Sequence, residues 1–193
     1  KIFNTAQDHK RVFEGDKGKN TGGMGAYSPS RLNSIELEKK IINKIILPTL
    51  KYLKKERGIY IGFLYAGLMI KNMEPYLIEY NVRMGDPECQ TILPLLNNDL
   101  VELIDSCVNG TLDKLEINWK NKKSICIVLA SKGYPEKFNN NILIKDLEKL
   151  IYQNNQYIFH AGTKISGEKF FSNGGRVLNF VSIDDDLKFA RIN

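Results

Sequence analysis

The chain has 193 residues, enough for one large domain or two small ones. It is 42% hydrophobic and 26% charged, as an ordinary globular protein is, and no stretch approaches the roughly 18 apolar residues of a membrane span. Its net charge of +6 suits anionic ligands, but lysines such as Lys39, Lys40, Lys44, Lys51, Lys54 and Lys55 read as solvated helix faces, so no nucleic-acid partner is expected. The three cysteines, Cys89, Cys107 and Cys126, have no C-x-x-C spacing and no signal peptide precedes them, so a reduced cytoplasmic setting is expected. Cys107 and Cys126 lie in apolar runs and read as buried thiols.

Residues 1–31 carry charge and glycine but little apolar period. The run Gln7-Asp8-His9-Lys10-Arg11 leads to Asn20-Thr21-Gly22-Gly23-Met24-Gly25-Ala26-Tyr27-Ser28-Pro29. Glycines let a backbone approach a ligand, and successive amides can form an anion-binding nest. A plain surface turn explains the same glycines. A helix capped by Asn33 with Glu36 follows, its apolar stripe formed by Ile41, Ile42, Ile45, Ile46, Leu50 and Leu53. Pro48 should kink or split it, and Gly58 should stop it. Tyr60 to Ile70 is nearly continuously apolar, so it reads as a central strand covered on both faces. Its glycines imply close approach by a ligand or another backbone.

After a turn at 71–75, Tyr76 to Val82 reads as the hairpin partner of that strand. Alternation puts Leu77, Glu79, Asn81 and Arg83 on one face and Tyr76, Ile78, Tyr80 and Val82 on the other. Oxygens from Glu79 and Asn81 suit Mg2+, and Arg83 suits a phosphate. A solvated strand face with an ordinary salt bridge fits the same spacing. Pro87 should start a short helix through Leu95 or Leu96. Asp99 with Glu102 should cap another, ended by Gly110. Residues 111–123, with Trp119, are polar and irregular, and a domain boundary is expected near them. Strands are expected over Ser124 to Ala130, Tyr157 to Thr163, Glu168 to Phe171 and Arg176 to Ile183. Asp146 to Tyr152 is weakly periodic. Asp185 to Arg191 looks like a helix cut in its first turns. With Lys1 in place of an initiator Met, it suggests a fragment.

No P-loop, zinc spacing or G-x-S-x-G elbow is present. His160 reads as a hydrogen-bonded structural residue, while His9, in a charged loop, is a candidate ligand. With Glu79, Asn81 and the glycine loop it points to a metal–phosphate site built without a P-loop.

Four blocks occur in a fixed order: Gln7-Asp8-His9-Lys10-Arg11, Thr21 to Pro29, Gly62 to Met69, and Glu79-x-Asn81-x-Arg83-x-Gly85-Asp86-Pro87-Glu88. Together they closely resemble the phosphoribosylamine–glycine ligases (glycinamide ribonucleotide synthetases) of the ATP-grasp superfamily. Gly162-Thr163 and Asn173 to Leu178 look like that family's C-terminal domain. The resemblance runs end to end over roughly the second half of the family's sequence.

It implies an α+β fold: the second part of an ATP-grasp domain over 1–118, an antiparallel sheet with flanking helices, then a small strand-rich C-terminal domain over 119–193. It implies ATP-dependent ligation of glycine to 5-phosphoribosylamine through glycyl phosphate, in de novo purine biosynthesis. Glu79 and Asn81 would bind Mg2+ or Mn2+. Arg83 and Asp86 would be catalytic, Arg83 steadying the transferring phosphoryl group and Asp86 helping orient the amine substrate with Glu88. Asp8, His9, Lys10, Gly22, Gly23 and Gly25 would line the substrate pocket. ATP would be the co-substrate, the partners small molecules, and the whole ligase a cytoplasmic monomer. Met84 and Cys89 depart from the Phe and Thr often found in the motif, and no acid lies on Tyr60 to Ile70. A different class of reading is a non-catalytic module of the same fold that binds phosphorylated ligands or polyanions.

Overall fold

The computed structural model describes residues 1–150 and 154–192. In chain order its elements are β1 (Gln7–Asp8), β2 (Arg11–Phe13), β3 (Lys17–Asn20), β4 (Gly25–Ser28), α1 (Ile35–Ile41), a π-helical turn (Ile42–Ile46) and α2 (Leu47–Glu56). Then come β5 (Tyr65–Lys71), β6 (Glu74–Asn81), α3 (Glu88–Ile92), α4 (Leu100–Val108), β7 (Lys123–Ala130), β8 (Leu143–Ile144) and β9 (Gln156–His160). The last are β10 (Thr163–Ser166), β11 (Lys169–Ser172), β12 (Arg176–Asp184) and α5 (Leu187–Ile192). No helix of the described residues is long and apolar enough to cross a membrane.

The chain divides into two compact, interleaved units. One holds residues 1–3, 30–85 and 96–119; the other holds 4–29, 86–95 and 120–193. In the first, Ser34 rather than Asn33 caps α1, accepting the Leu37 amide at 3.2 Å. The two candidates are adjacent, and only the geometry separates them. Pro48 lacks the N–H that would bond the Lys44 carbonyl, and its ring collides with that carbonyl in a regular helix. The chain answers with the π turn just before it, where Leu47 N–H reaches back to Ile42 O. Gly58, at φ +97°, follows the end of α2. β5 and β6 form a two-stranded antiparallel sheet.

This corrects the expected central strand. β5 begins only at Tyr65, pairs with β6 alone among the described residues, and leaves Met69 59% exposed. A continuous apolar run cannot tell a covered strand from one whose neighbours are few. Asp99 caps α4 as expected, Oδ1 accepting from Val101 N–H at 2.7 Å, and Gly110 follows it at φ +70°.

The second unit is organised on a five-stranded antiparallel sheet in the order β1-β4-β7-β12-β9. Cys126, Val128 and Val181 pack with Tyr157 to form one core cluster; Leu147, Val177 and Leu178 form another with Ile158 and Phe170. Burial pushes the Cys126 thiol up to about 12, with the charge of Asp86 adding to it. Cys107 is only half-buried. The glycine-rich opening, expected as loop, supplies four short strands. They are two to four residues long, too short for a period to show, and β4 also closes a ladder far along the chain, where Ala26 pairs with Cys126. A second sheet, β10-β11-β8, and the ribbon β2-β3 complete the unit. The expected strand from Tyr157 to Thr163 is two strands, β9 and β10. Of the weakly periodic stretch Asp146 to Tyr152, Leu147–Lys149 forms one 3-10 turn, and residues 151 and 152 lie outside the described residues.

Candidate functional site

Glu79, Asn81 and Arg83 belong to the first unit. Asn72 and Met73, both at positive φ (51° and 58°), close the two-residue turn that pairs Lys71 with Glu74. That turn sets the register as far as Leu68 opposite Leu77, and a β-bulge then shifts it by one residue, so Gly67 lies opposite Glu79 and Tyr65 opposite Asn81. Glu79 and Asn81 share a strand face, and Asn81 Nδ2 donates to Glu79 Oε1 at 3.3 Å. Gly67 makes the room: a Cβ there would sit 3.2 Å from Glu79 Cγ. Between the two donors, Tyr80 turns the other way, its Oη 2.7 Å from Thr49 Oγ1.

At the hairpin's start, Glu74 is held by Lys40 and Lys44, both at 2.6 Å. The Lys40 hydrogen bond, then that of Lys44, pulls the Glu74 carboxyl down from 4.5 to about 2. The strand bearing Glu79 and Asn81 is thus tied to the helical segment at both ends, to α1 and the π turn through Glu74 and to α2 through Tyr80.

A carboxylate beside an amide, on a strand with space cleared opposite it, fits a hard divalent cation that keeps several sites for water and phosphate. The described residues contain no cluster of three or more His, Cys, Asp or Glu suited to a metal. Arg83 is exposed and donates from Nη1 to the Met84 carbonyl at 2.9 Å.

The other candidates belong to the second unit. Asp8 and Lys10 form an ion pair at 2.5 Å. His9 is exposed at its side chain, and its backbone is fixed by His9 N–H to Gly25 O (2.9 Å) and Met24 N–H to His9 O (2.8 Å). Thr21 donates through N–H and Oγ1 to the Lys10 carbonyl, each at 2.8 Å. Gly23 N–H then donates to Thr21 Oγ1, and Gly22 N–H to Tyr134 Oη, each at 3.0 Å.

Three consecutive amides, those of Gly22, Gly23 and Met24, therefore have acceptors within the protein, and the loop is not an open anion nest. Its glycines answer to packing. At Gly23, φ is +124° and a Cβ would lie 2.5 Å from Pro87 Cδ; at Gly25 a Cβ would lie 2.6 Å from the Cys126 carbonyl oxygen. Asp86 accepts from Gln90 Nε2 at 3.0 Å and from Arg176 Nη2 at 3.1 Å. Glu88, 4% exposed, opens α3. Two residues that sequence reasoning passed over, Tyr134 and Arg176, thus hold much of this loop. Their partners lie 90 to 154 residues away, and no local pattern carries that signal.

Residues 1–89 match the family described as phosphoribosylglycinamide synthetase, ATP-grasp (A) domain, and residues 124–193 match its C domain. The chain belongs to the phosphoribosylglycinamide synthetase family. It is 44% identical over 189 residues to phosphoribosylamine–glycine ligase of Fusobacterium nucleatum, covering 97% of this chain and 44% of that protein. It is 44% identical over 190 residues to the enzyme of the same name from Vigna unguiculata, covering 96% of this chain and 61% of that one. The crystal structure of phosphoribosylamine–glycine ligase from Thermotoga maritima matches with a TM-score of 0.84 at 34% identity, over 98% of this chain and 46% of that one. The chain thus spans less than half the length of the first of these ligases. As a phosphoribosylglycinamide synthetase family member it has the expected α+β fold, an ATP-grasp segment followed by C-domain sheets.

Proposed function

We propose that this chain forms part of a ligase that joins glycine to 5-phosphoribosylamine at the expense of ATP, giving glycinamide ribonucleotide, ADP and phosphate in purine biosynthesis. The observation that carries this reading is the 44% identity to such ligases across 97% of the chain. The paired Glu79 and Asn81 add the donors that the chemistry needs.

Phosphoryl transfer to the glycine carboxylate asks the protein for positioning and charge neutralisation, not for a nucleophile. Mg2+ or Mn2+, held by Glu79 and Asn81, would neutralise charge on the transferring phosphoryl group. Arg83 steadies the acyl phosphate with its guanidinium, whose fork suits two oxygens at once. Asp86, with Glu88, orients the amine of 5-phosphoribosylamine for attack on the glycyl carbonyl. Asp8, His9, Lys10 and the loop of Gly22, Gly23 and Gly25 line the pocket for the two small substrates. Because the amides of Gly22 and Gly23 are engaged within the protein, and the Gly22 and Gly25 carbonyls are as well, the loop meets substrate by its shape. Division of the chain into an ATP-grasp part over 1–118 and a C-terminal domain over 119–193 belongs to the same reading. So do a cytoplasmic, monomeric whole enzyme and the lack of a nucleic-acid partner.

The test is ADP release by the full-length polypeptide carrying this chain, with each substrate omitted in turn. The expected result is turnover that needs glycine, 5-phosphoribosylamine, ATP and a divalent cation together. Salt-dependent binding to polyanions with no ATP-dependent product would overturn the reading in favour of a binding module.

A further inference from the structure

Arg176 stands at the start of β12, and its guanidinium is divided among groups far apart in sequence. Nη1 donates to the Gly22 carbonyl at 3.0 Å and to the Asp86 carbonyl at 2.8 Å; Nη2 donates to Asp86 Oδ2 at 3.1 Å. Nη1 also lies 3.3 Å from Asp86 Oδ1 and 3.5 Å from the Gly23 carbonyl. The amide of Gly22 is held by Tyr134, whose hydroxyl accepts it at 3.0 Å. Tyr134 is itself seated on Gly175, where any side chain would run into its ring. The amide and carbonyl of Gly22, and the carbonyl and carboxylate of Asp86, are therefore all held by Tyr134 and Arg176.

The arrangement exceeds what a packing contact needs. A planar guanidinium carries its donors in a fixed fork that can serve two loops at a set geometry, whereas an ammonium is a compact point charge on a flexible stem. The Asp86 side chain remains 45% exposed although Gln90 and Arg176 fix its rotamer. A carboxylate that is ordered and still accessible is suited to orienting a substrate, and sub-ångström order in such groups governs rate.

We propose that Arg176, assisted by Tyr134, is a positioning residue for the ligation. It fixes the Gly22–Gly23 turn and Asp86 relative to each other before substrate arrives. The proposal rests on the ligase reading, which takes both loops to face substrate.

Two measurements test it, each with Arg176→Lys and Tyr134→Phe. Amide hydrogen exchange on the full-length polypeptide reads the clamp directly. With Arg176→Lys, exchange at Gly22 to Met24 rises about tenfold while β7 and β12 keep their protection, as loss of one net hydrogen bond predicts. Tyr134→Phe raises exchange at Gly22 alone. Steady-state kinetics of the full-length polypeptide read the role. Arg176→Lys raises KM for the amine substrate about tenfold and leaves KM for ATP unchanged, since misplacing an orienting group costs that step. Faster exchange with unchanged KM values would mean a structural tie only and would overturn the proposal. Unchanged exchange would overturn it too, as would a loss of kcat merely proportional to the folded fraction. Wild-type polypeptide that forms no product defeats the ligase reading and the positioning role with it, while the exchange data still decide whether the clamp exists.

Discussion

On the β5–β6 hairpin the candidate ligands are side chains on an exposed strand face, aligned by a local two-residue turn and one β-bulge. In the Gly22–Gly25 loop there are almost no side chains to offer, and the backbone is held by Tyr134 and Arg176, 112 and 154 residues further along. The hairpin stakes function on chemistry that can be removed without unfolding anything. The loop stakes it on packing so close that removing space should damage the fold first. Substitutions in the two regions should therefore separate turnover from stability.

The largest effect is expected at Glu79. It is exposed, and its Oε1 accepts from the Asn81 amide at 3.3 Å. Under the proposed ligation, Glu79→Ala should lower turnover of the full-length polypeptide by several orders of magnitude, roughly a thousandfold or more, since a metal clamp is a large electrostatic contribution. Urea unfolding should hardly change. Near-normal turnover with Mg2+ would remove the metal role from the hairpin. Gly23→Ala should do the opposite. The left-handed backbone and a Cβ 2.5 Å from Pro87 Cδ combine strain and overpacking, together about 2–4 kcal/mol. The loss should show as a lower urea midpoint with an unchanged slope. A midpoint equal to wild type would mean that the loop is loose after all.

The same contrast explains what was legible in the sequence. Glu79, Asn81 and Tyr80 could be sorted onto faces because strand alternation is local and the hairpin turn is short. Asp99, Pro87 and Gly110 announced their helix boundaries for equally local reasons. β4 could not be read: it is four residues long and becomes a strand only because Cys126 and its neighbours pair with it. The covered central strand was misread because apolar content reports what a strand prefers, not how many neighbours it finds. The clamp at Arg176 was invisible, since its partners are backbone carbonyls, which any residue carries, and one carboxylate 90 residues away. Family resemblance, carried by the order of four blocks, supplied function that no single spacing could.

Two smaller effects sharpen the comparison within the hairpin. Gly67 has ordinary backbone angles, and its nearest would-be neighbour is the flexible Glu79 side chain at 3.2 Å. Gly67→Ala should change stability by less than about 1 kcal/mol, as a half-exposed site without strain allows. It should still lower turnover roughly tenfold to a hundredfold by displacing the Glu79 carboxylate. A stability loss as large as that at Gly23, without a kinetic effect, would erase the distinction between the two regions.

The smallest effect concerns the ion cluster at the hairpin's start. Glu74 ionises more readily in the folded chain than in the unfolded one, because hydrogen bonds from Lys40 and then Lys44 favour its charged form. Its contribution is therefore complete above the ordinary carboxyl value of 4.5 and drains away as pH falls toward about 2. Lys40 is shifted up, chiefly by the same hydrogen bond, so its share is present below 10.5 and is lost as pH rises beyond it. Glu74→Gln should lower the urea midpoint slightly at neutral pH, and the difference from wild type should vanish by about pH 2. Because the cluster is exposed, salt should shrink the difference as well. A difference that persists unchanged at low pH would mean that Glu74 holds the hairpin by packing of its methylenes rather than by its charge.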